Sequence, residues 1–234
     1  MGRVYQVALT SLISIFFINL FSIFGFAKTI LPYFAALTVI MVYALSRWNI
    51  SLGRREFKEK YVKPMVLEVG GKHILQEVVF DLSWRNEILF NIGGSVFPLF
   101  LSLILFYHTI TLLSIPPSTV VVAAGFLTVV YNRLATFMKG KGLGVPLAAA
   151  VGVTTGTMLS LFLSGGVSVE GIYLLTFSSS SIAALVGIDI MNLKNSALFR
   201  TKYVIIGGMG PADAILILPI MSSLLVNAFI TILT

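Results

Sequence analysis

The sequence predicts an all-α polytopic membrane protein of about seven transmembrane helices, the last broken at a glycine-rich segment, with a small cytoplasmic element between helices two and three. Three observations lead there. Of 234 residues, 57% are hydrophobic and only 11% charged, whereas about a quarter of an average soluble domain is charged. The mean hydropathy of +0.99 leaves too little polar surface to cover a globule in water. Apolar runs near the length that crosses a hydrocarbon core of about 30 Å recur along the whole chain.

Those runs are 4–26, 30–45, 88–113, 118–137, 144–163, 169–191 and 203–233. The first is too long for a signal-peptide core and is read as a retained span. Three parts follow: 1–45 with two helices, 46–87 as a cytoplasmic linker, and 88–234 as a five-helix core. In the linker, Arg54 to Lys60 reads as an interfacial helix. Met65 to Val69 and His73 to Phe80 read as two strands turning at Gly70-Gly71.

Net charge is +7, but the basic residues sit in short loops between apolar runs and not in a nucleic-acid-binding stripe. With seven spans, Arg3, the linker cations, Arg133, Lys139, Lys141, Lys194, Arg200 and Lys202 fall on one side and Lys28 on the other. Positive charge is retained on the cytoplasmic side, which places the N-terminus inside and the C-terminus outside. Membrane lipids are the expected surroundings and nucleic acid is not an expected partner. The sequence sets no oligomeric state. It contains no cysteine, which excludes disulfides, thiolate metal sites and a cysteine nucleophile. His108 has no HExxH context, so no metal or other cofactor is expected.

The chemistry concentrates in two acids. A carboxylate at the centre of a membrane helix costs roughly 2.5–3.5 kcal/mol, so it is functional or paired. Asp189 lies near the cytoplasmic end of span six, and Asp213 lies in span seven. Ahead of Asp213 stand Gly207, Gly208, Gly210 and Pro211, a run that cannot hold a regular helix. Pro211 suits the first turn of a new helix, with Asp213 two residues inside it. Irregular backbone at membrane depth lines a cavity or is buried in protein, so the glycines are expected to open the backbone and admit water. Two carboxyls in contact share a proton and divide the roles of acid and base. Read more plainly, Asp189 pairs with Lys194 or Arg133 and Asp213 caps its helix.

Asn91-Ile-Gly-Gly with Pro98, Gly142-Leu-Gly-Val-Pro146, Gly187-Ile-Asp189-Ile-Met-Asn192 and Gly207-Gly-Met-Gly-Pro-Ala-Asp213 occur in that order. They resemble a prokaryotic membrane family catalogued as domain of unknown function 1614, from about Asn86 onward. More loosely, the aspartates resemble those of the GxGD intramembrane aspartyl proteases, the presenilin, signal peptide peptidase and prepilin peptidase group. Here the motif reads Gly208-Met-Gly-Pro-Ala-Asp213, with two residues between the second glycine and the acid. That resemblance implies Asp189 and Asp213 as catalytic acids and a transmembrane peptide as substrate. The expected function is an intramembrane aspartyl protease-like hydrolase. The alternatives are a secondary transporter using the same acids and broken helix, and a scaffold whose acids are structural.

Overall fold

A computed structural model of the chain describes residues 3–69, 72–138, 142–165, 167–194 and 202–233. Gly70, Gly71, Lys139, Lys141 and Arg200 lie outside them. Seven helices dominate: α1 (Arg3–Ile23), α2 (Leu31–Leu45), α3 (Phe97–Thr111), α4 (Pro117–Leu134), α5 (Leu147–Leu163), α6 (Val169–Ala183) and α7 (Ala214–Leu233). Wide π-type turns lengthen two of them. Ile92–Val96 leads into α3, and Ala184–Ile190 extends α6.

Among the described residues, four helical stretches are long and apolar enough to cross a membrane: Val4–Ile23, Ile92–Thr111, Val169–Ile190 and Ala214–Leu233. α2 and α5 are apolar but shorter. The α6 stretch is the axis of the fold, with 89% of its apolar window buried inside the protein. Two apolar clusters hold the bundle on either side of it. One joins α4, α5, α6 and α7 through Leu127, Met158, Ile172 and Leu218. The other joins α1, α2, α6 and α7 through Phe16, Val42, Phe177 and Leu216. Phe16 stacks on Phe177 at 4.7 Å and on Tyr173 at 5.6 Å, which fastens α1 to α6.

The linker differs from its expected form. No helix occurs at 54–60. β1 (Asn49–Val69) and β2 (Lys72–Asn91) form one long antiparallel hairpin, in register from Asn49↔Asn91 to Val69↔Lys72 with a shift between Ser51 and Gly53. Residues 54–60 pair in register with β2, from Arg54↔Glu87 to Lys60↔Asp81. Pro64 is tolerated because β1 is an edge strand, where a missing N–H breaks no second ladder. The hairpin also takes residues 88–91 from the expected third span.

The segment expected to open span seven differs too. Tyr203–Ile206 is a strand, β5, which pairs in parallel with β2 from Glu87↔Tyr203 to Phe90↔Ile206. Val204, Ile205 and Ile206 are β-branched and suit that pleated position. The resulting sheet, ordered β1-β2-β5, puts the α2–α3 and α6–α7 connections at the same end of the bundle. A small antiparallel pair, β3 (Thr136–Met138) and β4 (Gly142–Gly144), joins α4 to α5.

Candidate active site at the strand–helix junctions

Asp213 is where β5 hands over to α7. After β5 the chain passes Gly207, makes a single 3-10 turn over Gly210–Ala212, and starts α7 at Ala214. Pro211 lies in the 3-10 turn, and Asp213 stands just outside the long helix as its N-cap, at φ −71 and ψ 149. Its Oδ1 accepts the Ile215 N–H at 3.1 Å, and its Oδ2 accepts the Met209 N–H at 3.3 Å. The first N–H groups of a helix have no partner inside it, and a carboxylate meets both that need and the positive end of the helix dipole.

The glycines ahead of it serve a close backbone contact. A Cβ on Gly94, in the turn before α3, would lie 2.2 Å from the Gly207 carbonyl oxygen. Gly207 itself is at φ +71, a left-handed conformation that favours glycine. Gly207 and Gly210 are buried, while Gly208 and Met209 are exposed. The two glycine-rich segments that look alike in sequence therefore meet, each directly following one of two paired parallel strands.

Asn91 organises the same junction. Its Nδ2 donates to the Ser46 carbonyl at 2.8 Å and to Asn49 Oδ1 at 3.0 Å, and its Oδ1 accepts the Gly94 N–H at 2.8 Å. One buried carboxamide thus ties the end of α2 and the start of β1 to the turn that opens α3. Ser95 adds a bond from its hydroxyl to the Asn91 carbonyl at 2.6 Å. In the sequence Asn91 stands out only as the head of the Asn91-Ile-Gly-Gly motif. An amide inside an apolar run was the available signal.

Asp189 sits on the widened last turns of α6, half-buried. Asn192 closes that turn, with Nδ2 donating to the Gly187 and Ile188 carbonyls and to Asn132 Oδ1, each at 3.0 Å. Asp213 is a neighbouring charge that bears on Asp189. The two acids, far apart in sequence, are thus within electrostatic reach at one end of the bundle.

The serine run of α6 is buried throughout and its hydroxyls diverge. Ser178 donates to its own helix at the Leu174 carbonyl, and Ser181 donates to the Ile215 carbonyl of α7 at 3.1 Å. Ser180 meets the Tyr131 hydroxyl at 2.9 Å, and that hydroxyl also bonds Thr154. Because Thr154 donates to the Ala150 carbonyl, the chain runs Ser180 to Tyr131 to Thr154 to backbone, with each hydroxyl donating once. His108 lies elsewhere, its ring 4.6 Å from that of Phe24. Among the described residues, no three of His, Cys, Asp and Glu converge as a metal ion would need.

Residues 40–225 match the family described as protein of unknown function (DUF1614). The chain belongs to the DUF1614 family. No curated protein and no solved structure matches it. The DUF1614 match takes in both aspartates, the hairpin and the glycine contact, so the whole junction lies inside the family's own region.

Proposed function

We propose that this DUF1614 chain is an intramembrane aspartyl protease-like protein, with Asp189 and Asp213 as paired acid and base acting on a membrane-embedded or membrane-tethered peptide. The observation that carries the reading is that the two carboxyls lie within electrostatic reach on consecutive helices. Two acids in contact hold a single negative charge more cheaply than two. Asp213, with a backbone N–H on each oxygen, is fitted to hold that charge and draw a proton from water. Asp189 keeps its proton and donates to the scissile carbonyl. β5 is the last strand of its sheet and leads through the glycine turn to Asp213. A substrate strand laid along its outer edge would be delivered beside that acid.

The finer architecture follows from the same reading. Seven crossings, with the N-terminus cytoplasmic and the C-terminus outside, agree with the Lys and Arg asymmetry. They also agree with the sheet, which requires the α2–α3 and α6–α7 connections to share a side. The test is cleavage of labelled single-span peptides by the purified chain in nanodiscs. Asp189→Asn and Asp213→Asn should each abolish it, and cleavage that survives both changes overturns the reading.

One observation favours a carrier as the second reading. Ser179 and Ser222 have buried hydroxyls without a partner among the described residues, on the two helices that bear the aspartates. Polar groups inside a bundle also mark ion paths in transporters. Uptake by reconstituted vesicles that is lost in Asp213→Asn, with no peptide cut, would select it.

A further inference from the structure

At the opposite end of α6 from the aspartates, α1, α6 and α7 enclose a cavity of about 320 Å³. Its lining includes Asn19, Ser22, Glu170, Tyr173 and Asn227. That volume falls within the range of small-ligand sites. Polar side chains on otherwise apolar helices are expensive, and here three separate helices each supply at least one to the same cavity.

The chemistry of the lining is one-sided. Among the described residues Glu170 is its one carboxylate, and no Lys or Arg lines it, so an anion would meet a carboxylate and find no counter-charge. The amides add acceptors. Tyr173 donates its hydroxyl to the Phe16 carbonyl at 3.2 Å. The Tyr173 proton is thereby engaged, and the carboxamides of Asn19 and Asn227 supply carbonyl oxygens that a ligand can use. Glu170 is exposed and stands in the first turn of α6, so the carboxylate meets solvent at the mouth while Tyr173 is buried behind it.

We propose that this cavity binds an alkylammonium group, its three N–H donors taken by the Glu170 carboxylate and the carbonyl oxygens of Asn19 and Asn227, with the carbon chain against Ile23 and Val169. The site is independent of the aspartate chemistry at the other face. A free amine and the headgroup of an ethanolamine lipid present the same group.

The experiment is calorimetric titration of ethylammonium into the full chain, purified in detergent, with acetate as the anionic control. Ethylammonium should bind, acetate should not, and Glu170→Gln should weaken binding at least tenfold. Asn227→Ala should weaken it several-fold, and Asp213→Asn should leave it unchanged. Thermal melts without ligand establish that each variant is folded, and either lining variant suffices. Equal binding in Glu170→Gln and Asn227→Ala, equal binding of acetate, or no binding of ethylammonium overturns the proposal. Repeating the titration in nanodiscs separates the sources. Weaker apparent binding in phosphatidylethanolamine than in phosphatidylcholine, which has the same net charge and no N–H donors, identifies the lipid headgroup as the occupant, and equal binding identifies a free amine.

Discussion

Ser181 donates its hydroxyl to the carbonyl of Ile215 at 3.1 Å, which is the acceptor that Pro219 leaves open four residues later in α7. Proline has no N–H, so it removes one bond of its helix ladder. In a membrane, the freed carbonyl must be answered by a neighbour. Here the neighbour is a serine of α6, and the pair fixes the rotation of one helix against the other.

The pair is testable as a cycle. Ser181→Ala should cost about 1–3 kcal/mol by leaving a buried carbonyl unmet. The same change in a Pro219→Ala background should cost clearly less, because the helix then satisfies Ile215 itself. Unfolding in mixed micelles measures both, and equal costs in the two backgrounds would show that the residues do not act together.

The contact between Gly94 and Gly207 makes a second prediction. Gly94→Ala drives a methyl into a backbone oxygen and should destabilise by about 1–3 kcal/mol or more. Gly156→Ala on α5 meets open space and should be neutral or stabilising by up to about 1 kcal/mol. Thermal melts of the two variants compare backbone proximity with helix propensity in one protein.

Asp213 holds two roles that substitution can separate. Asparagine caps helices about as well as aspartate, whereas alanine costs about 0.5–2 kcal/mol. Asp213→Asn keeps the Ile215 cap and gives up only the bond from the exposed Met209 N–H, so it should melt clearly above Asp213→Ala while losing any chemistry, and Asp213→Ala should lose both. Similar melts for Asn and Ala would remove the cap from the account.

The hairpin can be shortened. β5 pairs with β2 only over Glu87–Phe90, whereas β1 and β2 continue together as far as Val69 and Lys72. Replacing residues 57–84 by a two-residue Asn-Gly turn, which closes the Glu56↔Arg85 pair in register, should keep the helical circular dichroism and detergent solubility of the full chain. Loss of folding would show that the outer hairpin supports the bundle.

Much of the helical architecture could be read from the chain because membrane helices declare themselves by length and apolarity. Val4–Ile23 and Ala214–Leu233 needed no tertiary information. The hairpin was half legible. Residues 73–80 read as a strand, but the Arg-Arg-Glu-Phe-Lys-Glu-Lys stretch fits a solvated helix as well as a solvated strand, and its pairing partner decides. β5 was hidden for a different reason. Four apolar residues next to a glycine turn look like the start of a membrane helix, and only pairing with β2, more than a hundred residues earlier, makes them a strand. At the site, Asp189 and Asp213 stood out as isolated acids. Asp213, expected two residues inside the new helix, stands at its N-cap instead. The amides of Asn91 and Asn192 carry as much of the geometry, yet an amide has no charge to draw attention.

The enclosure of Val169–Ile190 bears on biogenesis. A helix with four consecutive serines and an acid near its end has little reason to slip from the insertion machinery into lipid alone, and α7 emerges from the ribosome after it. Its earlier neighbours must shelter α6 until α7 arrives with the groups that complement it, Ile215 among them. Truncation before Ala214 should therefore leave a chain that quality-control proteases clear quickly, whereas truncations that also remove α6 should persist longer.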